Sequence, residues 1–281
     1  MKTKPQIEST ATFKTISKPA LKFLVTSGDT ADQGKTTIAD NILAPRLSNP
    51  IRLEIENNES SSSRKQDVRR FTVDQFLDIK YEFNSAEDGR GLICDVGASE
   101  YKEFMAVCKR KFGGVTNYFE RVLFVIKAGA TKEQLALIKL RDLLSFGLDA
   151  KKLSVVFNCA DFDDSNIAAA EARIRTTFAQ VYETGEDFGF HVCKTPIYQD
   201  DDFYRSVFKS RKFDASSICD EQNFALKVRE LTKSGLSKSN EDVQKYMLLD
   251  DLQSAALTSV RPNLDSVWEE IMAAHHTSQS R

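Results

Sequence analysis

The sequence predicts an α/β protein: a doubly wound, mostly parallel sheet with helices on both faces, followed by a C-terminal helical extension. Three observations predict it. Short apolar runs alternate with longer stretches of helical periodicity, which is the rhythm of βαβ units. Most of the apolar runs are continuous rather than alternating, as strands covered on both faces are. The tetrapeptide Gly34–Lys35–Thr36–Thr37 stands between the first apolar run and the first helical stretch, so a turn there joins strand to helix.

Residues 1–19 are polar and are expected to form a flexible segment. Residues 21–25 form the first apolar run, and 27–34 a loop. Residues 35–47 read as a helix, with Ile38, Ile42 and Leu43 at helical spacing. Residues 51–56 alternate strictly, Ile51, Leu53 and Ile55 against Arg52, Glu54 and Glu56, which is strand periodicity. Residues 59–70, with consecutive serines at 60–63 and several charges, read as a mobile surface loop. Strands follow at 92–96, 122–126, 153–157 and 191–197, and helices at 100–112, 131–146 and 167–182, with a turn at Gly113–Gly114. From Asp201 onward the pattern is helical only, over 224–231, 243–257 and 264–274, with breaks at Gly235 and Pro262.

Composition sets limits on function. With 281 residues, 41% hydrophobic and 28% charged, the chain is no disordered polymer. Its 39 Lys+Arg against 41 Asp+Glu exclude a bulk polycation of the kind that coats nucleic acid. No apolar run approaches the ~20 residues of a membrane span. Lys2, Lys4 and Lys14 are not followed by an apolar core, so no secretory signal is expected. Among the five cysteines, Cys94, Cys159 and Cys193 lie in strand-like runs, which fits buried free thiols in the reducing cytoplasm.

The chemistry begins at Gly34–Lys35–Thr36–Thr37. After a buried strand and at the head of a helix, main-chain N–H groups converge and the helix dipole favours an anion, which is the setting of a P-loop. Lys35 is then the residue that reaches terminal phosphates, and the Thr36 hydroxyl the one that completes a Mg²⁺ shell. The full pattern asks for Gly five residues before Gly34, where this chain has Asp29; Gly28 comes one residue too early. Asp29 and Asp32 bring two carboxylates into the loop, so their side chains are expected to turn away or to meet a metal or a partner. A chance Gly–Lys–Thr–Thr that merely opens a helix is the alternative. The second element speaks against chance: Leu92–Ile93–Cys94–Asp95 is an apolar strand ending in a carboxylate, the pattern of a Walker-B strand. Loop and strand together divide the chain into a flexible segment at 1–19, a P-loop NTPase domain at 20–212 and a helical extension at 213–281.

With these pieces in this order, the chain resembles the ParA/MinD-type ATPases with a deviant phosphate loop. That family includes plasmid partition proteins, cell-division positioning proteins and the StbB- and TraL-like proteins of conjugative plasmids. The resemblance spans residues 21–212 and rests on Gly34–Thr37, the acidic second strand, the Asp95 strand, Val155–Val156–Phe157–Asn158 and the Thr195–Pro196 ending of the last strand. It implies that Lys35 and Thr36 serve phosphate and Mg²⁺, and that Glu56, with Glu54 one step back on the same face, is the carboxylate that orients water. It makes Asp95 the Walker-B residue and metal ligand, Asn158 the reader of the purine edge, and Gly34, Thr37 and Pro196 further nucleotide-binding positions. The implied function is a slow Mg-dependent ATPase switch in plasmid partition, plasmid stability or conjugative transfer. Its cofactors would be ATP and Mg²⁺, and its partners a second copy of the chain and an adaptor or DNA-binding protein. Departures are visible. Thr30, Ala31 and Asp32 fill the positions of the family's signature lysine and two glycines. Asp95–Val96–Gly97 replaces Asp-Thr-Pro, and Glu56 replaces Asp. Lys127 and Lys194, near strand ends, either supply the missing charge or are ordinary solvated lysines.

Weaker signals remain. Arg205, Lys209, Arg211 and Lys212, interleaved with Phe203, Tyr204 and Phe208, read either as a patch for non-specific DNA contact or as the solvated face of an amphipathic helix. Cys94, beside Asp95, reads as a packed thiol. Two alternatives to the switch stand: a module on the same fold that binds nucleotide or protein without hydrolysis, and a P-loop enzyme that phosphorylates a small acceptor.

Overall fold

The computed structural model describes residues 20–57, 68–85, 89–112, 118–160, 167–198 and 256–279. Seven strands form one sheet in the order β3-β2-β4-β1-β5-β6-β7, and every neighbouring pair is parallel. They are β1 (Lys22–Thr26), β2 (Ile51–Ile55), β3 (Val68–Phe71), β4 (Leu92–Val96), β5 (Arg121–Lys127), β6 (Leu153–Asn158) and β7 (His191–Val192). The helices are α1 (Lys35–Ile38, continued by a π-helical turn Ala39–Leu43), α2 (Phe76–Ser85), α3 (Tyr101–Phe112), α4 (Glu133–Ser145), α5 (Ile167–Thr177), α6 (Ala179–Phe188) and α7 (Arg261–Gln279). This is the doubly wound α/β fold that the alternation of apolar runs predicts.

The two faces follow from chain direction. After β1 the chain crosses to β2 in one direction; from β3 onward its crossovers run the other way. With right-handed crossovers, opposite directions place helices on opposite faces. Alternate strand residues divide accordingly: Leu24, Cys94, Val122 and Val155 pack into the core under α2, α3, α4 and α6, whereas Phe23, Val25, Ile93, Leu123 and Val156 pack against α1 and α7. The point where direction reverses lies beside β1, so the crevice beyond the C-terminal ends of β1 and β4 is the natural ligand position.

α7 completes the second face. Val260, Leu264, Val267 and Ile271 are buried there with Ile38, Ile42 and Leu43 of the first helical segment. Polar ties hold it in place: Asp265 pairs with Arg46, Asn263 Nδ2 donates to Pro196 O at 2.8 Å, and Glu270 accepts from the amides of Lys194 and Thr195 at 2.6 and 2.9 Å. Pro262, read as a helix break, does not end the helical chain: it sits at the second position of α7, directly after a π-helical turn over Ala256–Val260.

Several boundaries differ from the sequence expectation. The charged side of β2 is not solvated: Arg52 and Glu54 are buried because Arg52 pairs with Asp40, and Glu54 accepts from Arg70 Nε at 2.9 Å. The last residues of the expected loop, 68–70, belong to edge strand β3, whose Arg69 pairs with Glu82. α2, unanticipated, begins behind a capping box in which Thr72 and Gln75 satisfy each other's backbone amides, and it buries Phe76, Ile79 and Phe83. The helix expected over 167–182 breaks at Phe178, whose φ of −117° separates α5 from α6. The strand expected over 191–197 is regular only at His191–Val192; the chain bends at Lys194 and Thr195 and returns to the sheet at Ile197, whose N donates to Phe157 O at 2.8 Å, and at Tyr198, which bridges Ala160. The turn Gly113–Gly114, the serines at 60–63, the helix at 224–231 and most of the one at 243–257 lie outside the described residues. The four described cysteines are free thiols, and no described helix is long and apolar enough to cross a membrane.

If α7 is part of the core rather than an appendage, Ile271→Ala should cost roughly 2–5 kcal/mol, the usual range for a fully buried isoleucine. Urea denaturation of the full chain measures this; a cost below ~1 kcal/mol would place α7 outside the cooperative unit.

Candidate functional site

The site grows from the end of β1. Thr26 Oγ1 accepts from Gly28 N at 3.1 Å, and Ser27 Oγ donates to Thr30 O at 2.6 Å, so the chain turns back on itself directly after the strand. Gly28, Asp32 and Gly34 all have positive φ, of 66°, 56° and 79°. Gly34 caps α1 in the left-handed conformation. A Cβ at this position would lie 1.9 Å from Asn158 Nδ2, so no side chain fits there.

Beneath the loop, Gln33 acts as its anchor. Its side chain is buried; Oε1 accepts from Lys127 N at 2.8 Å and from Thr131 Oγ1 at 2.9 Å, while Nε2 donates to Ala31 O at 3.0 Å. Its carbonyl accepts from Asn158 Nδ2 at 3.0 Å. The ends of β5 and β6 thus hold the loop from below. The sequence singles out Asn158 but not Gln33, because nothing local distinguishes a glutamine whose partners lie about a hundred residues away.

Lys35 folds back over the loop, its Nζ 3.5 Å from Ser27 Oγ. Thr36 Oγ1 donates to Asp95 Oδ2 at 3.0 Å. Asp95 sits near the end of β4, in register with Val25 on one side and Glu54 on the other. It is buried, and its Oδ1 has no hydrogen-bond partner. Burial pushes its carboxyl pKa up to about 6; Lys35 and the Thr36 hydroxyl oppose the shift, Glu54 adds to it and Arg52 opposes it. An orphaned carboxylate oxygen beside a threonine hydroxyl is a donor set suited to a hard cation.

The acidic loop residues divide. Asp29 turns away toward α3 and α4, where it pairs with Lys139 and, at 3.2 Å, with Lys102. The bond from Lys139 is the main reason its pKa is lowered from the usual carboxylate value; partial burial works against it, and Lys102 lowers it further. Asp32 is exposed.

Glu56 lies just past β2, half-buried, its amide bonded to Phe71 O at 3.0 Å. It packs beside Gly97, where a Cβ would lie 3.0 Å from Ile55 O and 3.1 Å from Glu56 Cγ. Gly97 N in turn donates to Ile55 O at 2.8 Å. Glu100, which the sequence marks only as a helix start, is buried here: its carboxylate accepts from Asn57 Nδ2 and, at 3.4 Å, from Val73 N. It ties the segment after β4 to the segment after β2.

Gly34 thus lies against Asn158 and Thr36 against Asp95, with Lys35 folded onto Ser27, Thr37 next along α1 and Glu56 on the adjoining segment beside Gly97. Pro196 is buried on the stretch after β7, its carbonyl held by Asn263 of α7. Lys127 is half-buried at the end of β5, and Lys194 is exposed. Cys94 is buried and its thiol pKa is raised well above the ordinary value by burial. Arg205, Lys209, Arg211 and Lys212 lie outside the described residues. No protein-family model matches the chain, and a search of curated proteins finds no match.

Two outcomes follow. Gly34→Ala should cost about 1–3 kcal/mol from backbone strain alone, and adding Asn158→Ala should recover part of the loss. A double mutant whose losses simply add, in denaturant titrations, would mean that the two positions do not collide. Asp95, whose folded pKa of about 6 exceeds the ordinary carboxylate value of 3.8, binds its proton more tightly when folded. Stability should therefore fall as pH rises from about 4 to 6. Asp95→Asn should stabilise the ligand-free chain at pH 7 and have little effect below pH 4; equal effects at both pH values would contradict this.

Proposed function

We propose that this chain binds Mg-ATP at the crevice between the 27–34 loop and Asp95, and that it works as a slow ATPase switch. The observation that carries the reading is the buried, unpartnered Oδ1 of Asp95 beside the Thr36 hydroxyl, at the head of a helix whose loop is kept free of side chain at Gly34. The residues fit the ligand. Main-chain amides from Gly34 to Thr37 hold phosphate oxygens, and the Lys35 ammonium leaves Ser27 for the terminal phosphates. Thr36 and Asp95 would hold magnesium, which would supply positive charge against the phosphates. Glu56 orients the attacking water, one methylene further from its backbone than an aspartate would be.

The switch rests on the tie between segments. Gly97 N bonds Ile55 O, and Glu100 joins Asn57 to Val73, so a displacement after Asp95 is passed to the Glu56 segment and to the start of α2. The residues of the serine-rich stretch next to Glu56 lie outside those described. By its resemblance to ParA/MinD-type proteins, the chain would act in the cytoplasm in plasmid partition, plasmid stability or conjugative transfer, pairing with a second copy and with an adaptor or DNA-binding protein. One feature favours the non-hydrolysing alternative: the loop carries Thr30, Ala31 and Asp32 where the family's signature lysine and glycines would stand.

Calorimetric titration with ATP and Mg²⁺ tests the site. Lys35→Ala should weaken ATP binding at least tenfold, the loss of about one charge-assisted contact. Unchanged affinity would remove the crevice as the nucleotide site. Steady-state phosphate release then separates the two readings. A switch loses turnover in Glu56→Gln while keeping ATP affinity; a binding module shows the same background rate in both.

A further inference from the structure

α7 meets the last strand at a cluster of side chains that the nucleotide reading does not use. His191 opens β7 and Cys193 follows two residues later, so both side chains leave the chain on the same side. Cys193 N donates to Val155 O at 2.9 Å, which continues the pairing of β7 with β6. Glu270 reaches the same place from α7. Among the described residues, a ring nitrogen of His191, Sγ of Cys193 and a carboxylate oxygen of Glu270 lie within 4.8 Å of one another. His191 Nε2 is 3.9 Å from Glu270 Oε2, beyond hydrogen-bond range, and it is buried with no hydrogen-bond partner.

An imidazole nitrogen, a thiol and a carboxylate are the donors that zinc takes. Donor atoms bonded to one zinc ion at about 2.0–2.3 Å lie roughly 3.4–3.6 Å apart in a tetrahedron, so the widest pair here has to close by about 1 Å at most. Glu270 is already held as a metal-bound carboxylate is: its oxygens accept from the amides of Lys194 and Thr195 at 2.6 and 2.9 Å, and each keeps a lone pair free for a metal. Burial lowers the pKa of His191 and so keeps the ring neutral, as a ligating imidazole must be. Burial raises the Cys193 thiol pKa, and Arg121 works the other way. A metal takes the place of the thiol proton, which leaves to solvent. The thiolate and the Glu270 carboxylate then cancel the charge of a divalent ion, so Arg121 and Lys194 adjoin a neutral centre.

We propose that His191, Cys193 and Glu270 bind a zinc ion that fastens α7 to the last strand, with water as the fourth ligand. The side chains of His191 and Glu270 are 31% and 23% exposed, which gives that water its side of the site. Cys193 has no exposed surface, so the ion does not enter by a channel to a finished site. Its ligands stand on two elements that meet only when α7 docks, and the ion is enclosed as that contact forms, which makes its binding energy part of the folding energy.

Thermal denaturation of the full, reduced chain tests the site. Zn²⁺ should raise the midpoint, and EDTA should reverse the rise. Co²⁺ in place of zinc reports the ligands, because tetrahedral cobalt bound to a thiolate absorbs in the visible and adds a sulfur-to-metal charge-transfer band in the near ultraviolet. Cys193→Ala should lose that band. His191→Ala, which removes a ring whose Nε2 bonds nothing in the fold, should raise the Co²⁺ Kd at least roughly tenfold. His276→Ala and Asp95→Asn should keep both the Zn²⁺ shift and the band, which separates the site from the neighbouring histidine and from the nucleotide crevice. The proposal is overturned if Zn²⁺ gives the wild type no shift, if its cobalt form shows no charge-transfer band, or if His191→Ala binds Co²⁺ as tightly as wild type. It is overturned too if folded Cys193→Ala keeps the band, or if Asp95→Asn abolishes the response. Should Cys193→Ala not fold, the wild-type band and His191→Ala decide.

Discussion

Asn158 occupies the space that a side chain at residue 34 would need, and the loop after β1 takes its shape from that exclusion. The amide at the end of β6 reaches across to the Gln33 carbonyl, so the backbone at Gly34 must pass in the left-handed region with nothing attached to it. Gln33 is held in turn by the backbone of Lys127 and the hydroxyl of Thr131. Three strand ends, those of β1, β5 and β6, are thereby locked to one another through side-chain amides. A loop held only by its own turns would be free to collapse onto its acidic residues.

The two ends of the sheet carry opposite electrostatic debts. At the C-terminal edge, Asp95 is buried with Glu54 beside it, and desolvation outweighs the help of the nearby cations Lys35 and Arg52. At the N-terminal edge, Arg121 is buried among carbonyls and a hydroxyl, with histidines that burial keeps neutral: the pKa values of His191 and His275 are both lowered, mainly by desolvation. Parallel sheets have little internal polarity of their own along the strands. The asymmetry therefore comes from particular residues placed at strand ends, where the chain leaves the apolar layer.

Much of this was legible in the sequence, and the failures have a common cause. The strands β1, β4, β5 and β6 are continuous apolar runs, and burial on both faces requires that composition. The places of Gly34, Lys35 and Thr36 at the head of α1 and of Asp95 near the end of β4 were legible because they depend on short segments whose order the fold preserves. Charged segments misled. Residues 68–70 look like loop because Arg69 and Arg70 are adjacent charges, yet their partners, Glu82 and Glu54, lie on α2 and β2. Gln33 carries no local mark and Glu100 only that of a helix start, since their partners are supplied by other strands and loops. α2 went unread although its apolar residues Phe76, Ile79 and Phe83 and the Thr72–Gln75 pair are short-range features, because the run of charges and serines before them obscured both.

The position of α7 has a consequence for how the protein is made. Phe23, Val25, Leu123 and Val156 face a layer that stays incomplete until residues 260–271 arrive. On a ribosome, β1 through β7 emerge well before their second cover. During that interval the sheet face beside α1 lacks the cover that α7 gives it among the described residues. Such a nascent chain depends on a chaperone's grip, or on the speed with which the ribosome finishes, to avoid sticking to its neighbours.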